Sequence, residues 1–158
     1  MQKALLCLLL SLCCVCPAHA WTGYVLRVED GNSILLSTQE NSSADQVLVR
    51  LYGIESPVLQ QPYAKEAQAC LQRLLPRGAK VNIEPTSKDA DGVQTALVQV
   101  DGTSVNYQLL VEGLAWVDRT SCKALFCRRW YIQEHRAVED GRGLWGLKLP
   151  TPPWQWSR

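Results

Sequence analysis

The sequence predicts a mixed fold, mainly β: a small closed Greek-key barrel of five strands that carries three helices. Three observations predict it. Five short segments alternate in hydrophobicity at strand period, one stretch of helical period falls after the third of them, and two more helical stretches follow the fifth. A length of 158 residues fits one domain of this kind, and a hydrophobic share of 47% suffices for a packed core.

The elements follow in order. Residues 21–28 alternate loosely as a first strand. Asp30-Gly31-Asn32 reads as a tight turn in which Gly31 is free to take positive φ, and residues 33–37 form the second strand. The polar stretch 38–45 is a loop. Residues 46–52 alternate again, with Val47, Val49 and Leu51 on one face and Leu48, Arg50 and Tyr52 on the other, so Arg50 stands among largely apolar residues. After a loop containing Pro57, Pro62 opens a helix along which Ala64, Ala67, Leu71, Leu74 and Leu75 recur. Residues 79–84 and 93–100 are the fourth and fifth strands, joined by a turn. A short helix spans 105–111 and ends at Gly113, residues 114–117 are extended, and a last helix spans 128–140. This order is the signature of an oligonucleotide-binding barrel, the OB-fold.

Residues 1–20 stand apart from this domain. Lys3, an apolar run from 4 to 16 that is too short to span a membrane, and Ala18-His19-Ala20 before Trp21 together read as a secretory signal peptide. The domain is then 21–148, and residues 149–158 form a Pro/Trp-rich tail without period. Export to the periplasm or the extracellular space is expected, with no membrane span in the mature chain. The 16 basic and 15 acidic residues come into balance once Lys3 is lost. The mature chain thus lacks the basic excess of a protein held to nucleic acid mainly through phosphates. Four of the 7 cysteines lie in the leader. In an oxidising compartment Cys122 and Cys127 are the expected disulfide. Cys70, on the first helix, is expected as a buried small hydrophobe, although its pairing does not follow from sequence. No CxxC or HExxH metal pattern occurs.

Several segments carry a resemblance: Asp30-Gly31-Asn32-Ser33, Val49-Arg50-Leu51-Tyr52-Gly53-Ile54-Glu55-Ser56-Pro57, Gln61-Pro62 with Glu66-Ala67, Val105-Asn106 with Leu109, Gly113-Leu114-Ala115-Trp116-Val117 and Gly143-Leu144-Trp145. Their order and spacing resemble the staphylococcal nuclease-like (thermonuclease, SNase-like) family across residues 23–147. The resemblance implies an SNase-like five-stranded barrel with three helices. It also implies the chemistry of the active members, which are calcium-dependent phosphodiesterases cutting DNA and RNA. In that chemistry carboxylates hold the calcium ion, a further carboxylate positions the attacking water, and two arginines stabilise the phosphate.

Carried over by position, little of that set remains. Arg50 stands at the first phosphate-binding arginine. Glu55 stands at the second metal carboxylate, one methylene longer than the family's aspartate, and the neutral Asn32 stands at the first. The general-base position is Val58. The second arginine belongs to a Tyr-Gly-Arg turn, where this chain has Asp91-Gly92-Val93. The expectation is a non-catalytic binding module for a protein, envelope or nucleic-acid ligand, with no cofactor. The alternative is a weak calcium-dependent nuclease that holds Ca²⁺ through Glu55 and Asn32, and a third reading is a structural component of a secreted assembly. On the module reading Arg50 serves as a structural ion-pair partner of Glu55, and Asp89 and Asp91 form a solvated turn. Trp116, Trp130, Tyr131 and Trp145 are read as core or helix-docking residues. Trp154 and Trp156 either clamp the tail to the barrel or present a binding surface. Lys123, Arg128 and Arg129 read as a solvated helix start, and His135 has no visible catalytic partner.

Overall fold

The computed structural model describes residues 19–156. The apolar run of the proposed leader lies outside the described residues. Strands and helices are numbered in chain order. Strands β1 (Trp21–Val28), β2 (Ser33–Ser37) and β3 (Gln46–Leu51) pair in sequence, antiparallel. On its other edge β1 pairs with β5 (Lys80–Lys88), and β5 pairs with β6 (Gln94–Val100). Then β3 meets β6 in parallel, with Val49 beside Gln94, Arg50 beside Thr95 and Leu51 beside Ala96. That seam closes the barrel and removes its free edges. Helices α1 (Ala64–Leu74), α2 (Val105–Val111) and α3 (Cys127–Glu139) pack around it. Two-residue pieces complete the fold: β4 (Ile54–Glu55) pairs with β8 (Trp116–Val117), and β7 (Thr103–Ser104) pairs antiparallel with the end of β6. No described helix is long and apolar enough to cross a membrane.

The alternation on β3 does what strand period requires. Val49 and Leu51 enter a core that includes Ile34, Leu36, Val98, Leu71 of α1, Leu109 of α2 and Trp130 of α3. Arg50 faces outward at the seam.

Three local readings are corrected. Gly31 does not take positive φ; it is required for space, since a Cβ there would lie 2.7 Å from the Ala67 Cβ and 2.9 Å from the Ser56 Cβ. Strand β5 runs through Pro85 to Lys88, beyond the expected end at 84, because the register shifts between Pro85 and Ser87. Such a bulge accommodates a residue that cannot donate to the ladder. Helix α1 begins at Ala64 and not at Pro62, because Tyr63 has φ 69° and breaks the helical path.

Asn106 locks the seam. This fully buried side chain donates from Nδ2 to the carbonyls of Tyr52 and Ala96, at 3.0 and 3.1 Å, and accepts the Val98 amide at 2.9 Å. Each of these groups would be costly to bury unpaired.

Cys122 and Cys127 form the expected disulfide, and Cys70 is free and buried. The bridge closes a small loop against Gly53, where a Cβ would come within 2.9 Å of the Cys122 sulfur. For a sequence separation of 5, the chain-entropy model gives about 2 kcal/mol. The Cys122→Ala/Cys127→Ala variant is expected to lose that much stability in urea unfolding, with little change in slope.

The tail is docked. Gln61 donates from Nε2 to the Thr151 carbonyl, and Trp154 meets Trp116 edge-on at 6.4 Å. Trp116 also packs against Trp145 at 5.5 Å, which bears out the docking role read for these tryptophans. Trp154 nevertheless stays 57% exposed.

Candidate active site

The seam determines what Arg50 can reach. Setting Arg50 beside Thr95 brings its side chain to the hairpin that joins β5 to β6. There Nη1 donates to Asp89 Oδ2 at 2.5 Å and lies 3.5 Å from Asp91 Oδ2. Asp89 is not a solvated turn residue. Its Oδ1 accepts the amides of Asp91 and Val93 at 3.0 and 2.8 Å, so one carboxylate both shapes the loop and holds the guanidinium. The expected Arg50–Glu55 ion pair is therefore corrected: Arg50 is paired, but across the barrel seam. Proximity in sequence suggested Glu55, whereas the parallel register selects Asp89.

Glu55, on β4, meets Asn32 instead. The Asn32 amide donates from Nδ2 to Glu55 Oε2 at 3.4 Å, and the Asn32 backbone amide donates to Asp30 Oδ1 at 2.7 Å. Asn32 Oδ1 and Ser56 Oγ are buried without partners. Burial raises the Glu55 pKa from an ordinary 4.5 to about 7; Asp118, Asp30 and Asp89 push in the same direction, and Arg50 opposes them. Acidic side chains thus gather around Glu55, and Arg50 is already engaged by two others.

Comparison with known proteins completes this picture. The family model described as "Staphylococcal nuclease homologue" matches residues 48–146. The chain belongs to this staphylococcal nuclease family. A protein of Oryza sativa subsp. japonica, named as a probable staphylococcal-like nuclease (CAN2), is 31% identical over 130 residues, covering 82% of this chain and 34% of the relative. This chain spans about a third of the length of the plant relatives it matches. A Haemophilus influenzae protein named as an uncharacterized endonuclease is 26% identical over 154 residues, covering 97% of this chain and 82% of the relative. An Escherichia coli O157:H7 protein with the same description is 29% identical over 136 residues, covering 85% and 83%.

Val58, which the resemblance would set at the base position, lies in the loop before α1. Its side chain is exposed and its backbone amide donates to Gln61 Oε1 at 3.0 Å. Neither group can serve as a general base. Val93 closes the β5–β6 hairpin through its backbone and offers no side-chain donor. Calcium takes six to eight oxygen ligands and draws its affinity from charged ones. Beside Asn32 the structure supplies two carboxyls in contact, Asp30, which accepts the Asn32 backbone amide, and Glu55, whose pKa is raised to about 7. Among the described residues no three His, Cys, Asp or Glu side chains are grouped to share a metal ion.

Two residues near the site, Asp118 and Glu134, escaped the sequence reading. Asp118 follows β8 and arrives beside Glu55 because β8 pairs with β4. Burial works to raise its carboxyl, but hydrogen bonds from Ser121 and Thr120 outweigh this and hold the pKa below the usual range. Glu134 of α3 is buried; it accepts the Val117 amide at 2.8 Å and Arg119 Nη2 at 2.8 Å, which ties α3 to β8. Burial raises its pKa against both of those contacts. No local motif marks these positions, since each acquires its role through a pairing distant in sequence. Of the other side chains singled out in the sequence, Arg129 lies over the Tyr107 ring at 5.8 Å, Lys123 donates to the Arg119 carbonyl, and His135 sits 3.4 Å from Glu139.

Proposed function

We propose that this staphylococcal nuclease family member has lost phosphodiester hydrolysis and acts as an exported binding module for a protein or envelope ligand. The observation that carries the reading is the pairing of Arg50 with Asp89 and Asp91. A guanidinium so engaged has Nη1 given to carboxylates, and those carboxylates repel the phosphate it would serve. The neighbouring losses add to this. Removing one preorganised donor typically costs about 10²–10³ in rate, and removing a general base about 10²–10⁴, although such losses do not simply multiply. The donor set at Asn32 and Glu55 does not fit a resident calcium ion, so no step is assigned to one. In support of export, β1 begins at Trp21, the first residue that leader cleavage would leave.

The expected result is that the mature chain, residues 21–158, cleaves DNA and RNA with calcium at least about 10³-fold more slowly than an active staphylococcal-like relative assayed beside it. Cleavage near the relative's rate, abolished by Arg50→Ala, would overturn the reading. The Asn32–Glu55 contact favours one second reading, a weak calcium-dependent phosphodiesterase. Calorimetric titration separates the two: heat of binding at millimolar calcium supports the second reading, and its absence supports the first.

A further inference from the structure

The cavity beside Glu55 has a wall that the family match does not reach. It measures about 500 Å³ and is lined by Glu55, Asp118, Arg119, Thr120, Pro153 and Trp154, a size typical of pockets for small ligands. Pro153 and Trp154 belong to the tail, past residue 146 where the match ends. The tail is fixed there at two points, through the Gln61–Thr151 hydrogen bond and the Trp154–Trp116 ring contact.

The charges on this wall are unbalanced. Among the described residues no arginine or lysine is in ion-pair contact with Glu55 or Asp118. Both nearby guanidinium groups have a carboxylate partner elsewhere. Arg50 is held by Asp89 and Asp91, and Arg119 is held by Glu134 at 2.8 Å while it stacks on Tyr131 at 4.8 Å. Next to Glu55, though not itself lining the cavity, Asn32 is only 9% exposed, its amide is turned onto Glu55, and Oδ1 has no partner. Two carboxyls on this wall stand against one guanidinium, that of Arg119, which is bonded to Glu134. A phosphate entering here meets two carboxyls beside the single guanidinium of Arg119, whereas an ammonium meets those carboxyls and an indole.

We propose that this cavity binds a lysine side chain of a basic partner protein, with the ammonium between Glu55 and Asp118 and the methylene stem along Trp154. This rests on the reading that the site has given up phosphodiester chemistry. The ammonium's three rotatable donors suit acceptors presented from different directions, here from β4 and from the end of β8. The stem covers apolar surface while the charge stays solvated or paired. The Trp154 ring adds attraction for a cation.

The test is a titration of the mature chain with an end-blocked Gly-Lys-Gly tripeptide at pH 8 and low ionic strength, followed by calorimetry and by the indole NMR signals. The norleucine counterpart serves as the uncharged comparison. The lysine peptide is expected to bind, to shift the Trp154 indole signal and to weaken as salt is added, with the norleucine peptide at least about tenfold weaker. Trp154→Ala and Glu55→Gln, checked for folding by circular dichroism, are each expected to weaken lysine binding at least about tenfold. Any of four results overturns the proposal: no binding, equal affinity for the two peptides, affinity unchanged in both variants, or displacement of the peptide by a single-stranded oligonucleotide. Cleavage by the wild type in the nuclease assay would defeat the functional reading, and the titration would still decide this one. Absence of both cleavage and peptide binding overturns this proposal alone.

Discussion

The variant Asn32→Asp, Glu55→Asp, Val58→Glu, Asp91→Tyr, Val93→Arg is expected to gain at least about 10³-fold in calcium-dependent DNA cleavage over the wild type. Each change supplies one missing element of metal-assisted attack on phosphorus. Asp at 32 replaces a neutral amide oxygen with a charged ligand, and Asp at 55 shortens the second carboxylate to the family length. Glu at 58 provides a carboxylate to position water, and Arg at 93 provides the second guanidinium. Removing Asp91 takes away the weaker of the two carboxylates on Arg50, which lies 3.5 Å away. Asp89 stays, because it shapes the hairpin through the amides of residues 91 and 93. The gain will not be a product of single effects, because residues that act as a unit are non-additive. Cleavage rates at saturating calcium check it, with Arg50→Ala in the restored background expected to abolish the gain. A folded variant with no gain would show that the positions were matched wrongly.

Glu55→Gln is expected to make the protein more stable at pH 8 by about 3 kcal/mol and to change it little at pH 4.5. The folded state holds the Glu55 proton up to about pH 7, while the unfolded chain releases it near 4.5. A group whose folded pKa is raised contributes its stability fully below the unfolded pKa. That contribution falls as pH rises from 4.5 to about 7, and above 7 the folded state carries a buried charge that the unfolded state does not. Glutamine keeps an acceptor for the Asn32 amide and cannot ionise. Urea unfolding of both proteins across pH 4.5 to 8 checks the result through their difference. Glu134 shifts in the same direction, but it is common to both proteins and largely cancels. A difference independent of pH would mean that Glu55 is not the buried titrating group.

Much of the barrel was legible because strand period and turn chemistry are local. β1, β2 and α2 fall on the expected residues. The misses arise where tertiary contact overrides a local signal. Pro85 reads as the end of a strand, yet a bulge carries β5 past it. Gly31 reads as a φ requirement, yet the neighbours Ala67 and Ser56 impose a steric one. At the site, the sequence named the positions and could not name the partners. Arg50 answers to Asp89 through the parallel seam, and Asp118 reaches Glu55 through the β4–β8 pair. Trp154 lies in a segment without period, so nothing local announced that it would dock on Trp116.

The Asn106 contacts bear on the order of assembly. One side chain on α2 bonds to the β6 backbone at Ala96 and Val98 and to the chain leaving β3 at Tyr52. The last rungs of the ladder and the docking of that helix therefore gain their protection as one cooperative unit. Because the pairing joins segments far apart along the chain, that unit forms late and slowly. Amide hydrogens at Val98 and Tyr52 should then exchange together, through a common opening that peels the helix from the seam.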